Sequence, residues 1–114
     1  MDMLAKIKRI VNKKLIKQMS NKPCGKCDKP TQGETHHIVP VGAGGPDIEE
    51  NMINLNCSSA HHTMAHTGEI SREELFKLKA AEMGKPVEVI KEIVHKAWRF
   101  GIYEHRDITT SATR

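Results

Sequence analysis

The chain has 114 residues, 38% of them hydrophobic and 28% charged, with a formal charge of +4. That length suits one compact domain and is too short for two, and with Phe76, Trp98, Phe100 and Tyr103 as the aromatic side chains the core is small enough that a metal staple is expected. No apolar run approaches membrane-span length, and an odd number of cysteines (Cys24, Cys27 and Cys57) argues against a disulfide framework and for a reducing cytosol with thiols that bind metal.

The excess positive charge is concentrated at one end. Lys6, Lys8, Arg9, Lys13, Lys14, Lys17, Lys22, Lys26 and Lys29 stand against Asp2 and Asp28 alone in residues 1–30, which directs a polyanionic partner to this part of the chain or else gives a solvated, lysine-rich helix face. Leu4, Ile7, Ile10, Val11 and Leu15 recur at helical spacing, so residues 3–19 are expected to form an amphipathic basic helix. Asn21-Lys22-Pro23 breaks it. Cys24-Gly25-Lys26-Cys27 follows as a tight turn, with the glycine allowing both sulfurs to face one point.

A short strand is expected from Glu34 to Val39, then a wide glycine- and proline-rich loop over Pro40–Asp47, a return strand over Met52–Leu55 and a helix starting near Ser59. Ser71-Arg72-Glu73-Glu74 has the form of a capping box, which places the next helix over Arg72–Met83 with Gly84 closing it. Pro86 opens a last helix whose Ile90, Ile93, Val94, Ala97 and Trp98 make a core stripe ended by Gly101. Ala80, Gly84 and Ile90 have helix-turn-helix spacing, but Glu88 and Glu92 would face phosphates, which favours two packed helices over a DNA reader. Residues 104–114 have nothing to bury and are expected to be a mobile tail.

Two groups of residues carry chemistry. Cys24 and Cys27 can hold two corners of a tetrahedral zinc and Cys57 a third; Ala60 stands where a second C-x-x-C would end, so His61 is the expected fourth ligand. A thioredoxin-like pair lacks its βαβ context, and a knuckle without metal is the other alternative. Five of the seven histidines fall between His36 and His66. His62 and His66, four apart, share one helix face, and His36 comes from the strand opposite, giving three neutral imidazoles with positions left open for Mn²⁺, Ni²⁺, Co²⁺ or Zn²⁺, and less naturally Mg²⁺. His37 points to the other side of its strand and is free to act as a base.

In this order, C-x-x-C, His-His-Ile-x-Pro, Gly-Gly-x-Asp, Asn, Leu-x-Cys and His-x-x-x-His, over about Cys24–Ile70, resemble the HNH (ββα-metal) endonucleases, and Thr67–Leu75 is similar to small phage and prophage HNH proteins. The resemblance implies an α+β fold: a small ββα-metal (His-Me finger) core with a zinc knuckle, flanked by an N-terminal basic helix and two C-terminal helices. It implies one domain over 1–103, divided into 1–21 basic helix, 22–70 core and 71–101 helical extension. By the family pattern His37 is the general base, His36 and His62 are metal ligands, and Asn51 belongs to the catalytic group by pinning the loop between the strands. The His36-His37 pair and His66 are as in colicin-type DNases, which makes the metal sphere three histidines. Exchange of the roles of His61 and His62 stays open.

The implied reaction is metal-dependent hydrolysis of DNA phosphodiesters, by nicking or double-strand cutting, with a second, structural Zn²⁺ in the knuckle. Lys6, Lys13, Lys14 and Lys17 are the expected DNA contacts. DNA and a phage packaging or recombination machine are the implied partners, no membrane is expected, and the location is cytoplasmic, in the host cell if phage-encoded. A non-enzymatic zinc-knuckle adaptor is the rival reading, distinguished by having no use for His37 or the His62–His66 pair. A zinc nucleobase deaminase is excluded because H-x-E followed by P-C-x-x-C is missing.

Overall fold

The computed structural model describes residues 8–31, 35–57 and 60–103. Lys6, Glu34, Ser59 and the expected tail over 104–114 lie outside the described residues. Among those described, a two-stranded antiparallel sheet and four α-helices make a small α+β fold: α1 (Lys13–Met19), β1 (Thr35–His37), β2 (Met52–Asn54), α2 (His61–Thr67), α3 (Arg72–Met83) and α4 (Val87–Phe100). Short 3-10 turns cover Val41–Ala43 and Glu49–Asn51 within the connection between the strands.

The basic helix is shorter than its periodicity predicts. Asn12 is its N-cap, with Oδ1 accepting from the Leu15 N–H at 3.0 Å. The residues before it are held by contacts distant in sequence: the Asp47 N–H donates to the Ile10 carbonyl at 2.8 Å, and the Asp47 carboxylate takes the Asn12 N–H at 2.8 Å. Those bonds hold Ile10 and Asn12 against the loop at Asp47, and a cap residue that satisfies a free N–H of the first turn starts the helix at Lys13 instead.

β1 pairs with β2 in the register Thr35 to Asn54, His36 to Ile53 and His37 to Met52. The ladder stops sooner than the expected strand because Asn51 takes over the next donors: its carbonyl accepts from Ile38 N at 2.8 Å and its side-chain Oδ1 from Val39 N at 2.8 Å. Asn54 links three segments. It is bonded to Thr35 Oγ1 at 2.9 Å, and its Nδ2 donates to the carbonyls of Met19 and of Lys22, the latter at 2.8 Å. The end of α1 is thereby tied to the hairpin.

Gly25 differs in its physical reason from the turn conformation expected of it. Its φ is not positive; the left-handed residue here is Asp28, at φ 63°. A Cβ at Gly25 would sit 2.5 Å from Ile53 Cδ1, so the glycine lets the knuckle lie directly on β2, where the Gly25 N–H donates to the Asn54 carbonyl at 2.8 Å.

The core is formed by Ile38, Val39, Ile48, Ile53, Leu55 and Ile70 from the hairpin and its loops, closed by Leu75, Phe76 and Ala80 of α3 and Ile90, Val94 and Ala97 of α4. α3 has the expected bounds: Ser71 Oγ accepts from Glu74 N at 3.1 Å, and Gly84 ends it at φ 67°. Glu74 does not return the bond of a full capping box and pairs with Lys26 at 2.9 Å. α4 packs against α3, and a Lys91–Glu73 pair at 2.8 Å joins them, as expected for packed helices. Pro86 is the N-cap of α4, one residue before the helix proper. Lys79 is wholly buried, and its ammonium is balanced by Glu82 at 2.8 Å. No described helix is long and apolar enough to cross a membrane.

Candidate active site

Two clusters of ligating side chains lie back to back at the start of α2. His61 Nδ1 is 3.5 Å from Cys24 Sγ and 3.4 Å from Cys57 Sγ, and Cys27 Sγ is 3.6 Å from Cys57 Sγ. A tetrahedral zinc with ordinary bond lengths separates two sulfurs by about 3.8 Å and a sulfur from a nitrogen by about 3.6 Å. The four donors can therefore hold zinc with only small adjustment. Ala60, in the left-handed region at φ 64°, makes the turn that brings His61 to the thiols while α2 continues beyond it. Burial raises the Cys24 thiol to about 11, above its ordinary range, so a metal ion must displace its proton on binding.

The second cluster joins His62 and His66 of α2 to His36 of β1, with ligating atoms within 4.8 Å of one another. His62 Nε2 and His66 Nε2 are 2.9 Å apart, close to the separation of about 2.9 Å for two nitrogens bound at right angles to one ion with bonds of ~2.0–2.1 Å. Neutral imidazoles are required. Burial first, then the proximity of His62, His66 and His37, lowers the His36 pKa to about 4 and keeps it neutral at pH 7. The position of His61 among the thiols and of His62 among the imidazoles distributes the two neighbours between the clusters as the spacing suggests.

His37 projects away from the three imidazoles, yet it borders the same cleft, of about 430 Å³, lined also by Thr35, Val41, Ser71 and Arg72. Its Nε2 is 2.8 Å from Asp47 Oδ1. Asp47 is buried and also receives Arg9 Nη1 at 2.7 Å on the same oxygen and the Asn12 N–H on the other. Burial works to raise the Asp47 pKa, but the hydrogen bonds from Arg9, Asn12 and His37 and the Arg9 charge hold the carboxyl below its usual range. An ionised carboxylate only accepts, so His37 Nε2 carries the proton between them, and in the neutral ring Nδ1 is the nitrogen with the lone pair.

Asn51 lies at the centre of the support for this arrangement. It is fully buried, and besides taking the Val39 N–H its Nδ2 donates to Val39 O at 3.1 Å and Pro46 O at 3.0 Å. The loop that carries Asp47 is thereby closed onto the end of β1. Gly45 makes the closure possible, since a Cβ there would meet the Val39 carbonyl oxygen at 1.8 Å.

These features coincide with a family pattern: residues 24–67 match the family model described as HNH endonuclease. Over this segment the chain is similar to the HNH endonucleases. No curated protein and no solved structure matches the chain. All the ligating residues of both clusters fall inside the matched segment, as do His37, Asp47 and Asn51. Arg9 falls outside it. Neither Arg9 nor Asp47 was singled out as a site residue from the sequence; the Asp of Gly-Gly-x-Asp was visible as a motif, but only the fold brings it to His37. Of the lysines expected to meet DNA, the described Lys13, Lys14 and Lys17 do not line the cleft. Lys13, Lys14 and Lys17 are exposed on α1, and Lys14 borders a separate hollow with Gln18 and Tyr103.

Proposed function

We propose that the protein is a metal-dependent endonuclease that hydrolyses DNA phosphodiester bonds. The observation that carries this reading is that His37, hydrogen-bonded to the buried Asp47, lines the same cleft as the three clustered imidazoles. His36, His62 and His66 would hold a divalent cation, and Cys24, Cys27, Cys57 and His61 a structural zinc. Bound at the imidazoles, such a cation supplies positive charge to offset what develops on the phosphoryl and leaving oxygens.

His37 does the proton chemistry. Its Nδ1 takes a proton from a water that attacks the phosphorus in line with the 3′-oxygen, and Asp47 stabilises the imidazolium that results. Arg9 and the Asn12 N–H occupy the remaining capacity of Asp47, which keeps the carboxylate ionised and turned to His37. Asn51 acts by holding the loop. Lys13, Lys14 and Lys17, whose ammonium groups form no hydrogen bond or ion pair among the described residues, add attraction to the phosphate backbone that is independent of sequence. In this reading residues 1–103 work as one domain around the core over 22–70.

The test is incubation of supercoiled plasmid with the zinc-loaded protein plus Mg²⁺, Mn²⁺, Co²⁺ or Ni²⁺. The expected result is nicked or linear DNA with at least one of these ions, lost in His37→Ala by about 10²-fold or more. Retarded DNA without cleavage in any metal would overturn the reading in favour of a zinc-knuckle adaptor, for which the His37–Asp47 pair has no purpose.

A further inference from the structure

Arg72 belongs to no part of the chemistry described so far, yet it lines the cleft. From His66 the chain passes through Gly68, Ile70 and Ser71, each on the cleft wall, to Arg72 at the first position of α3. Among the described residues that line the cleft, no other is lysine or arginine.

Its guanidinium is also available. The two carboxylates that follow it are committed elsewhere, Glu73 to Lys91 at 2.8 Å and Glu74 to Lys26 at 2.9 Å. The Arg72 side chain forms no hydrogen bond, ion pair or ring contact among the described residues, and the residue is exposed. Its base, by contrast, is fixed. Ser71 caps α3, and Leu75, Phe76 and Ala80 anchor that helix in the core. A fully charged, planar donor on a rigid mount at the rim of a phosphodiester-sized cleft suits a phosphate oxygen pair.

We propose that Arg72 binds a backbone phosphate of the DNA strand adjacent to the phosphate being hydrolysed, and thereby aligns the strand in the cleft. The inference rests on the endonuclease reading and names a substrate contact within it. The scissile phosphate lies at the imidazole cluster and His37, whereas Arg72 is carried by α3 and makes no hydrogen bond or ring contact with the four histidines. A contact to a neighbouring phosphate is made equally in the ground state and the transition state, so its loss raises KM and leaves kcat. A contact to the reacting phosphate would lower kcat.

Steady-state cleavage of a short duplex is measured for the wild type, Arg72→Ala and Arg72→Lys, in zinc-loaded protein with whichever added ion supports wild-type cleavage. The expected result is a KM about tenfold higher in Arg72→Ala with kcat within about twofold, an intermediate KM in Arg72→Lys, which keeps the charge without the two-pronged geometry, and an unchanged thermal melt. In parallel, duplex binding is followed against salt in the His37→Ala background, with and without Arg72→Ala. Loss of one phosphate contact should make the log–log slope shallower by about 0.9. Unchanged KM or an unchanged salt slope would overturn the contact, and a fall in kcat at constant KM would overturn its placement on the neighbouring phosphate. Wild-type protein that cuts nothing would instead bring down the endonuclease reading, and the salt slope then decides the phosphate contact by itself.

Discussion

Replacing Asn51 should unfold the centre of this molecule rather than merely slow it. The side chain is fully buried and makes three hydrogen bonds, to Val39 N at 2.8 Å, Val39 O at 3.1 Å and Pro46 O at 3.0 Å. Asn51→Ala removes all three and leaves three buried main-chain groups without partners. Each bond contributes about 0.5–1.5 kcal/mol and each orphaned group costs about 1–3 kcal/mol; these do not add fully, so on the order of 3–5 kcal/mol is expected. That is a large part of the ~5–15 kcal/mol that holds a domain together, and it corresponds to a fall of roughly 15–25 °C in melting temperature for a domain of this size. Asn51→Asp is the sharper probe. It keeps an acceptor for the Val39 N–H but places a carboxylate oxygen against two carbonyls, so it should destabilise at least as much as alanine despite its similar shape. Thermal and urea melts of the zinc-saturated proteins measure both. A melt of Asn51→Ala within about 5 °C of the wild type, or a stable Asn51→Asp, would refute the reasoning that this amide closes the loop.

Cys57→Ser should abolish stoichiometric zinc and lower stability steeply, because the energy of a closed four-ligand site is largely folding energy; element analysis that finds no zinc in EDTA-rinsed wild-type protein refutes it. His66→Ala should weaken the affinity for the second ion by about tenfold or more while barely moving the melt, since His66 is exposed; calorimetric titration with an unchanged affinity would remove it from the ligand set. Asp47 has a lowered pKa in the folded state, so its contribution is complete above its unfolded value near ~4 and is lost as pH falls through the folded value. Asp47→Asn should therefore be less stable at pH 7 and lose less stability on acidification than the wild type; equal acid limbs for the two proteins would contradict this.

Elements set by neighbours in sequence were the legible ones. Ser71 and Gly84 bracket α3 by local capping, and the Ile90, Val94 and Ala97 stripe marks the buried side of α4. The same holds for His62 and His66, whose spacing on a helix puts them together regardless of what else the chain does. The start of α1 was not legible because it depends on Asp47, 35 residues away from Asn12, and the end of β1 was not because Asn51 competes for its donors. Arg9 reads in the sequence as one more cation in a basic run. Its partner is decided by the path of the loop, and its hydrogen bonds to Gly45 O at 2.9 Å and to Asp47 take it out of the DNA-facing charge altogether.

Trp98, the single tryptophan, is bonded to the loop beside the cleft: its indole N–H donates to Ala43 O at 2.8 Å, in the same turn as Val41, which lines the cleft together with Pro40. The Arg99 guanidinium stands over the same ring, 5.2 Å from its centroid. Indole emission responds to both the N–H bond and a nearby charge, so the molecule contains an unlabelled optical probe of its own entrance. Stopped-flow fluorescence on the native chain can then separate the arrival of a strand at the rim from the later breaking of a bond, without a dye and without altering a residue that touches the substrate.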